Sequence, residues 1–118
     1  MDFDTYTVVL LVLAADAPEL DEVASAALQD AHMAHLAELH EAGHLLAAGP
    51  LLGGDGQALR GLSLLRVSAQ EAVELMARDP AVQAGRFTLT VLPWMVPRGA
   101  VSFTAARFPR SMTEAAGG

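Results

Sequence analysis

All four histidines of the chain fall between His32 and His44, inside the stretch Gln29–Leu51, QDAHMAHLAELHEAGHLLAAGPL. Histidine titrates near neutral pH, so such a cluster suggests proton transfer or metal ligation. The stretch reads as a helix stopped by Gly43, then a short apolar strand and a Gly49-Pro50 turn. At roughly 100° per residue, His32 falls among Leu28, Leu36 and Leu39, in the middle of the apolar stripe. His35 sits at the edge of that stripe, and His40 lies on its far side beside Met33. An imidazole directed into the protein needs a partner or stays neutral. A carboxylate on its far nitrogen would make it a general base of fixed tautomer.

Asp79 is the carboxylate that stands out. It ends the second helix, because Pro80 restricts the residue before it. It therefore faces the negative end of the helix dipole, at a cost of about 0.3–1 kcal/mol. The purely structural alternative has Asp79 in an Asx-type turn before Pro80 and His32 as a satisfied core histidine. The spacings of His32 with His35 and of His40 with His44 suit metals. However, His44 lies beyond the helix-stopping Gly43, and no cysteine or carboxylate trio completes a site, so no metal ligand is assigned. His35, His40 and His44 are assigned to the surface or the rim. Arg60, Arg66 and Arg86 sit at strand positions, where one could pair with a substrate carboxylate, although strand arginines usually face solvent. Ser63 lacks a nucleophile elbow, which argues against a serine hydrolase. Tyr6, the only tyrosine, either lines a pocket or packs. Trp94 and Met95 are placed at a dimer interface or a pocket mouth.

The elements that must position these groups follow from pattern. Thr5–Leu13, TYTVVLLVL, reads as a strand. It is apolar on both faces, Tyr6, Val8, Leu10 and Val12 against Val9, Leu11 and Leu13, so both faces should be covered. Two helices cover one face of a sheet; a second copy of the chain is the simplest cover for the other. Asp16, with Pro18 and Glu19 behind it, reads as the N-cap of a helix running to Ala42. Asp30 could cap a second piece of it, so one helix and two remain open. Leu45–Ala48 is a strand, Gly49–Ala58 a turn-rich loop, and Leu59–Val67 a strand with Gly61, Ser63, Leu65 and Val67 on one face. The loop lacks the Gly-Lys-Ser/Thr of a phosphate loop. Ser68 opens helix two with a capping box, and its stripe of Ala72, Val73 and Met76 is core. Arg86–Trp94 closes the sheet. The order strand–helix–strand–strand–helix–strand is the ferredoxin-like βαββαβ arrangement, an α+β fold with an antiparallel sheet. Residues 1–98 form this domain. Residues 99–118 are an arm or tail, partly flexible: Val101–Phe108 adds a strand or arm, and Ser111–Gly118 is loose.

Two motifs give the chain a resemblance. His32-Met33-Ala34-His35-Leu36 with Gly43-His44-Leu45-Leu46-Ala47-Ala48-Gly49-Pro50, and Asp79-Pro80 followed by Gly85, keep the order and spacing of the YCII-related (YciI-like) family. The likeness runs from about Thr5 to Trp94. It implies that His32 and Asp79 form the active-site pair. It also implies a dimeric α+β barrel, with two sheets packed face to face. Members of that family include a dehydrochlorinase. The family often has Arg-Pro-Ala-His where this chain has Gln29-Asp30-Ala31-His32, a departure that bears on the substrate.

Composition removes several alternatives. The 118 residues suit one domain, and 53% of them are apolar, enough for a core. There is no cysteine, hence no disulfide, thiolate catalysis or Cys-based zinc site. There is no lysine, hence no Schiff base. The net charge of −7 would repel nucleic acid. No basic segment precedes an apolar run at the start, and no apolar run reaches the roughly 18 residues of a membrane span. The expectation is a cytoplasmic homodimer, or a multiple of it, with no nucleic-acid or membrane partner. It would be a small enzyme without cofactor or metal, using His32 and Asp79 for lyase or isomerase chemistry on an organic acid or a phenol. Tyr6, Gly49, Pro50 and Ser63 are the expected substrate contacts. The competing reading is a non-catalytic small-molecule-binding or accessory dimer of the same fold.

Overall fold

The computed structural model describes residues 1–117. In chain order the elements are β1 (Phe3–Leu13), α1 (Glu22–Glu41), β2 (Leu45–Pro50), β3 (Leu59–Leu65), α2 (Ala69–Met76), α3 (Pro80–Gln83), β4 (Phe87–Pro97) and α4 (Met112–Ala116). The strands form one antiparallel sheet in the order β2-β3-β1-β4, consistent with a ferredoxin-like fold. The apolar β1 is central, and each strand is fixed by its partners: Val9 lies opposite Ser63 on β3 and Val91 on β4.

Alternation along β1 sends Val9 and Leu11 to the face that carries the helices. There they join Leu65 and Phe87 from the sheet, Leu39 from α1, and Ala72 and Met76 from α2. The opposite parity, Val8, Leu10 and Val12 with Leu62, Leu64 and Leu92, forms the other face. These residues are half-buried, and Leu92 is exposed. Within one chain the helices cover only the first face, as expected of a chain with two main helices, and the second face carries none.

Several boundaries differ from the sequence reading, each for a local reason. The cap of α1 is Asp21 rather than Asp16; its carboxylate accepts from Ala24 N–H at 2.7 Å. Pro18 disfavours the helical conformation at Ala17, so the chain stays irregular until beyond it. From Glu22 to Glu41 the helix is unbroken, and Asp30 caps nothing within it. Helix α2 stops at Met76, and Asp79 opens the next helix as its N-cap. Val73 is 45% exposed, so the buried stripe of α2 is Ala72 and Met76. Both β1 and β4 are longer than read, reaching Phe3 and Pro97. No strand forms over Val101–Phe108. The stretch from Ser111, expected to be loose, folds into α4 with Ser111 as its cap; Gly118 lies outside the described residues.

Helices α1 and α3 end in the same motif. Gly43, at φ +84°, lets His44 N–H reach Leu39 O and its own N–H reach His40 O. Gly85, at φ +79°, does the same for Arg86 with Ala81 O and for itself with Val82 O. These are the two bonds of a Schellman cap, which needs a left-handed residue. They turn the chain directly into β2 and β4. A Cβ at Gly43 meets no atom within 4 Å, so the cost of a side chain there is backbone strain alone. Gly43→Ala is expected to lower stability by about 1–2 kcal/mol, read as a lower urea midpoint; an unchanged midpoint would contradict the cap.

Candidate active site

Helix α1 lays Gln29, His32, Met33 and Leu36 over the sheet, and a cavity of about 480 Å³ opens between them. Its other walls are Leu11 of β1, Ala48–Leu51 at the end of β2, Arg60–Ser63 of β3, and Arg86 and Phe87 at the start of β4. The volume suits a small organic molecule.

His32 is 8% exposed and stands at one edge of this cavity. Its Nδ1 lies 2.5 Å from Oδ2 of Asp79, a carboxylate with no exposed surface. The other carboxylate oxygen, Oδ1, accepts from Ala81 N–H at 2.9 Å. The pairing thus joins α1 to the turn between α2 and α3 through 47 residues of sequence. The sequence reading had Asp79 against the negative end of a helix. The structure reverses this: Pro80 ends one helix, but it also suits the first position of the next. The carboxylate therefore receives a backbone N–H and gains from the cap.

A carboxylate only accepts, so Nδ1–H of His32 donates the hydrogen bond to Oδ2 of Asp79. In the neutral ring the lone pair then sits on Nε2. Nε2 has no protein partner among the described residues, and none of their fully buried side-chain nitrogens or oxygens lacks one. Nε2 is therefore accessible from the cavity that His32 lines. The arrangement is a base with a fixed tautomer, a counter-charge behind it and a largely apolar chamber in front.

The other expected site residues divide. Gly49, Pro50 and Ser63 line the same cavity as His32. Tyr6 does not: it belongs to the opposite sheet face, where its ring meets Phe103 edge-on at 5.2 Å and tilts against Trp94 at 6.3 Å. It is a packing residue of the arm. Trp94 and Met95 lie outside the cavity, partly exposed. Arg60 and Arg86 line it, whereas Arg66 faces solvent.

The remaining histidines are half-buried, and His35 and His40 serve as brackets between elements. His35 Nε2 donates to Leu75 O at 3.0 Å and ties α1 to α2. His40 donates from Nδ1 to Leu45 O at 2.7 Å and accepts at Nε2 from Ala106 N–H at 3.1 Å. Its ring stacks on Phe108 with centroids 4.1 Å apart. Among the described residues no group of three or more His, Asp or Glu is placed to hold a metal ion.

His40 thereby anchors a wall that sequence reasoning missed. The arm after β4 folds back along α1 and adds Phe108, Pro109 and Met112 to the cavity. Besides the stack, Arg110 pairs with Glu41 at 2.6 Å, which raises the arginine above its ordinary value. Asp30 accepts from Met112 N–H at 2.8 Å. The available signal was an aromatic followed by a proline in a tail without periodicity, together with an uncommitted histidine on the outer side of α1.

No helix is long and apolar enough to cross a membrane among the described residues. No curated protein matches the chain. Among solved structures it is similar to 5-chloro-2-hydroxyhydroquinone dehydrochlorinase (TftG) from Burkholderia phenoliruptrix AC1100, in complex with 2,5-dihydroxybenzoquinone. The two share 20% identity with a TM-score of 0.54, over 77% of this chain and 93% of that one, which is a likeness of fold. The model of the YCII-related domain matches residues 8–95, containing both His32 and Asp79 and leaving out the arm. The chain belongs to the YCII-related family.

Proposed function

We propose that the cavity is the active site of a small enzyme in which His32 moves a proton at Nε2 while Asp79 holds the ring from behind. The observation that carries this reading is the buried Asp79–His32 pair with its second nitrogen open to an apolar cavity. The substrate is a small organic acid or a phenolic or quinoid ring, and the reaction is an elimination or an isomerisation. In an elimination, Nε2 takes a proton from carbon and the C–H electron pair becomes the new double bond. The leaving group departs from the adjacent carbon with its own bonding pair. In an isomerisation, the same proton returns at a different atom. Asp79 stabilises the imidazolium formed in either case. Ser63 and the backbone at Gly49 and Pro50 contact the substrate. The dehydrochlorinase activity of the similar fold supports the elimination branch.

The assembly belongs to the same proposal. The open sheet face carries the half-buried Val8, Leu10, Leu62 and Leu64 beside the exposed Leu92. Burying apolar area is worth about 25 cal/mol per Å². A second copy packed on this face would complete the dimeric α+β barrel.

Two measurements test these statements. With a turned-over substrate, His32→Gln should lower kcat by about 10²–10⁴-fold, and Asp79→Asn should lower kcat in the same direction with a smaller change in KM. Full activity in both variants, or ligand binding without turnover in the native protein, would leave a binding module instead. Light scattering at micromolar concentration should give twice the chain mass or a multiple of it; a monomer would refute the barrel.

A further inference from the structure

The charge of the cavity is opposite to that of the chain. The molecule carries a net charge of −7, yet no aspartate or glutamate lines the cavity, and two of its seven arginines do. Arg60 and Arg86 are both half-buried. Among the described residues neither lies within 4 Å of a carboxylate, whereas Arg98, Arg107 and Arg110 each have one. Arg60 donates from Nε to Gln57 O at 2.7 Å, and its two terminal nitrogens have no protein partner among the described residues. The Arg86 guanidinium lies over the ring of Phe87, 5.2 Å from its centroid. That same ring is 6.1 Å from the His32 ring.

Backbone geometry puts the two arginines at one end of the sheet. Gly61 lies opposite Leu11 of β1, and Arg86 O accepts from Ala14 N–H just past the end of β1. Arg60 and Arg86 thus flank the C-terminal end of β1, two strand spacings or roughly 10 Å apart. The Schellman cap at Gly85 fixes the backbone of Arg86, and the Phe87 ring supports its head group. A guanidinium held this way, partly desolvated and without a counter-charge, is an unfavourable arrangement until an anion arrives. Its planar fork matches a carboxylate or a ring oxyanion.

We propose that the cavity selects a planar organic anion, whose carboxylate or ring oxyanion is paired by Arg86 with Arg60 as the second cation. Its ring lies against Phe87 and Phe108, and its reacting carbon faces Nε2 of His32. The last clause rests on the proposed acid–base role of His32; the anion selectivity does not. Arg86 is the specificity-determining residue of this site, placed by the glycine turn before it and the aromatic ring after it.

Benzoate and its neutral analogue benzamide serve as probes, titrated calorimetrically into the full-length protein. Benzoate is expected to bind at least roughly tenfold tighter than benzamide, in line with the greater strength of charge-assisted pairing, and to weaken with added salt. Arg86→Gln should remove most of that preference, Arg60→Gln part of it, and Arg86→Lys should restore some of it, because the charge returns without the fork. Circular dichroism and the thermal midpoint check that each variant is folded. Equal affinity for the two probes, no benzoate binding up to millimolar concentration, or an Arg86→Gln variant that still prefers benzoate would each overturn the proposal. The experiment reads binding without turnover, so it stands or falls separately from the acid–base role of His32.

Discussion

A carboxylate without exposed surface is the constraint around which this small protein is arranged. Asp79 is fully buried, and a buried charge is tolerated only when its lone pairs are met. One oxygen receives the N–H of Ala81, which fixes the turn between α2 and α3. The other receives Nδ1 of His32, which fixes how α1 lies across the sheet. Removing either partner would strand a charge in the interior, so these contacts hold one another in place. The chemical consequence is immediate. With Nδ1 committed to Asp79, the working nitrogen of the ring is Nε2.

The cavity in front of that nitrogen is assembled from parts distant in sequence. Helix α1 is the roof and the β2–β3–β1–β4 sheet the floor. The glycine-capped ends of α1 and α3 send the chain into β2, whose far end lines the cavity, and into β4, whose start does. The third wall comes from the arm, which lies beyond the part of the chain that matches the family. His40 holds it by a stack and by hydrogen bonds at both ring nitrogens. Two histidines two turns apart on α1 thus have unrelated duties, one facing the cavity and one clamping its wall. In this acidic chain the cavity lining holds two arginines and no aspartate or glutamate, and the Asp79 carboxylate is spent on His32.

Much of this could be read from residue types alone. The apolar stripe of α1 put His32 inside, and it is buried; alternation put Ser63 on one face of β3 with Gly61 and Leu65, and that face is the buried one. The glycine at position 43 gave the end of α1 correctly. The failures have identifiable causes. Asp16 and Asp21 both look like caps, and only the effect of Pro18 on the preceding residue decides between them. Pro80 was read as a helix stop, whereas a proline is equally suited to a helix start, so the role of Asp79 in the backbone was inverted. For Tyr6 the choice between lining a pocket and packing stayed open, because alternation does not say which face of β1 receives the helices; it packs against Trp94 and Phe103. The arm has no periodicity to read; its conformation is set by tertiary contacts with α1.

The account depends most on which nitrogen of His32 carries the proton. Nitrogen-15 NMR of the ring, at a pH where it is neutral, distinguishes a protonated from an unprotonated ring nitrogen by chemical shift. The account predicts a single tautomer with the proton on Nδ1 and a bare Nε2, giving way to a mixture in Asp79→Asn, whose amide can donate as well as accept. A native ring protonated at Nε2, or the same tautomer populations with and without the Asp79 carboxylate, would contradict it.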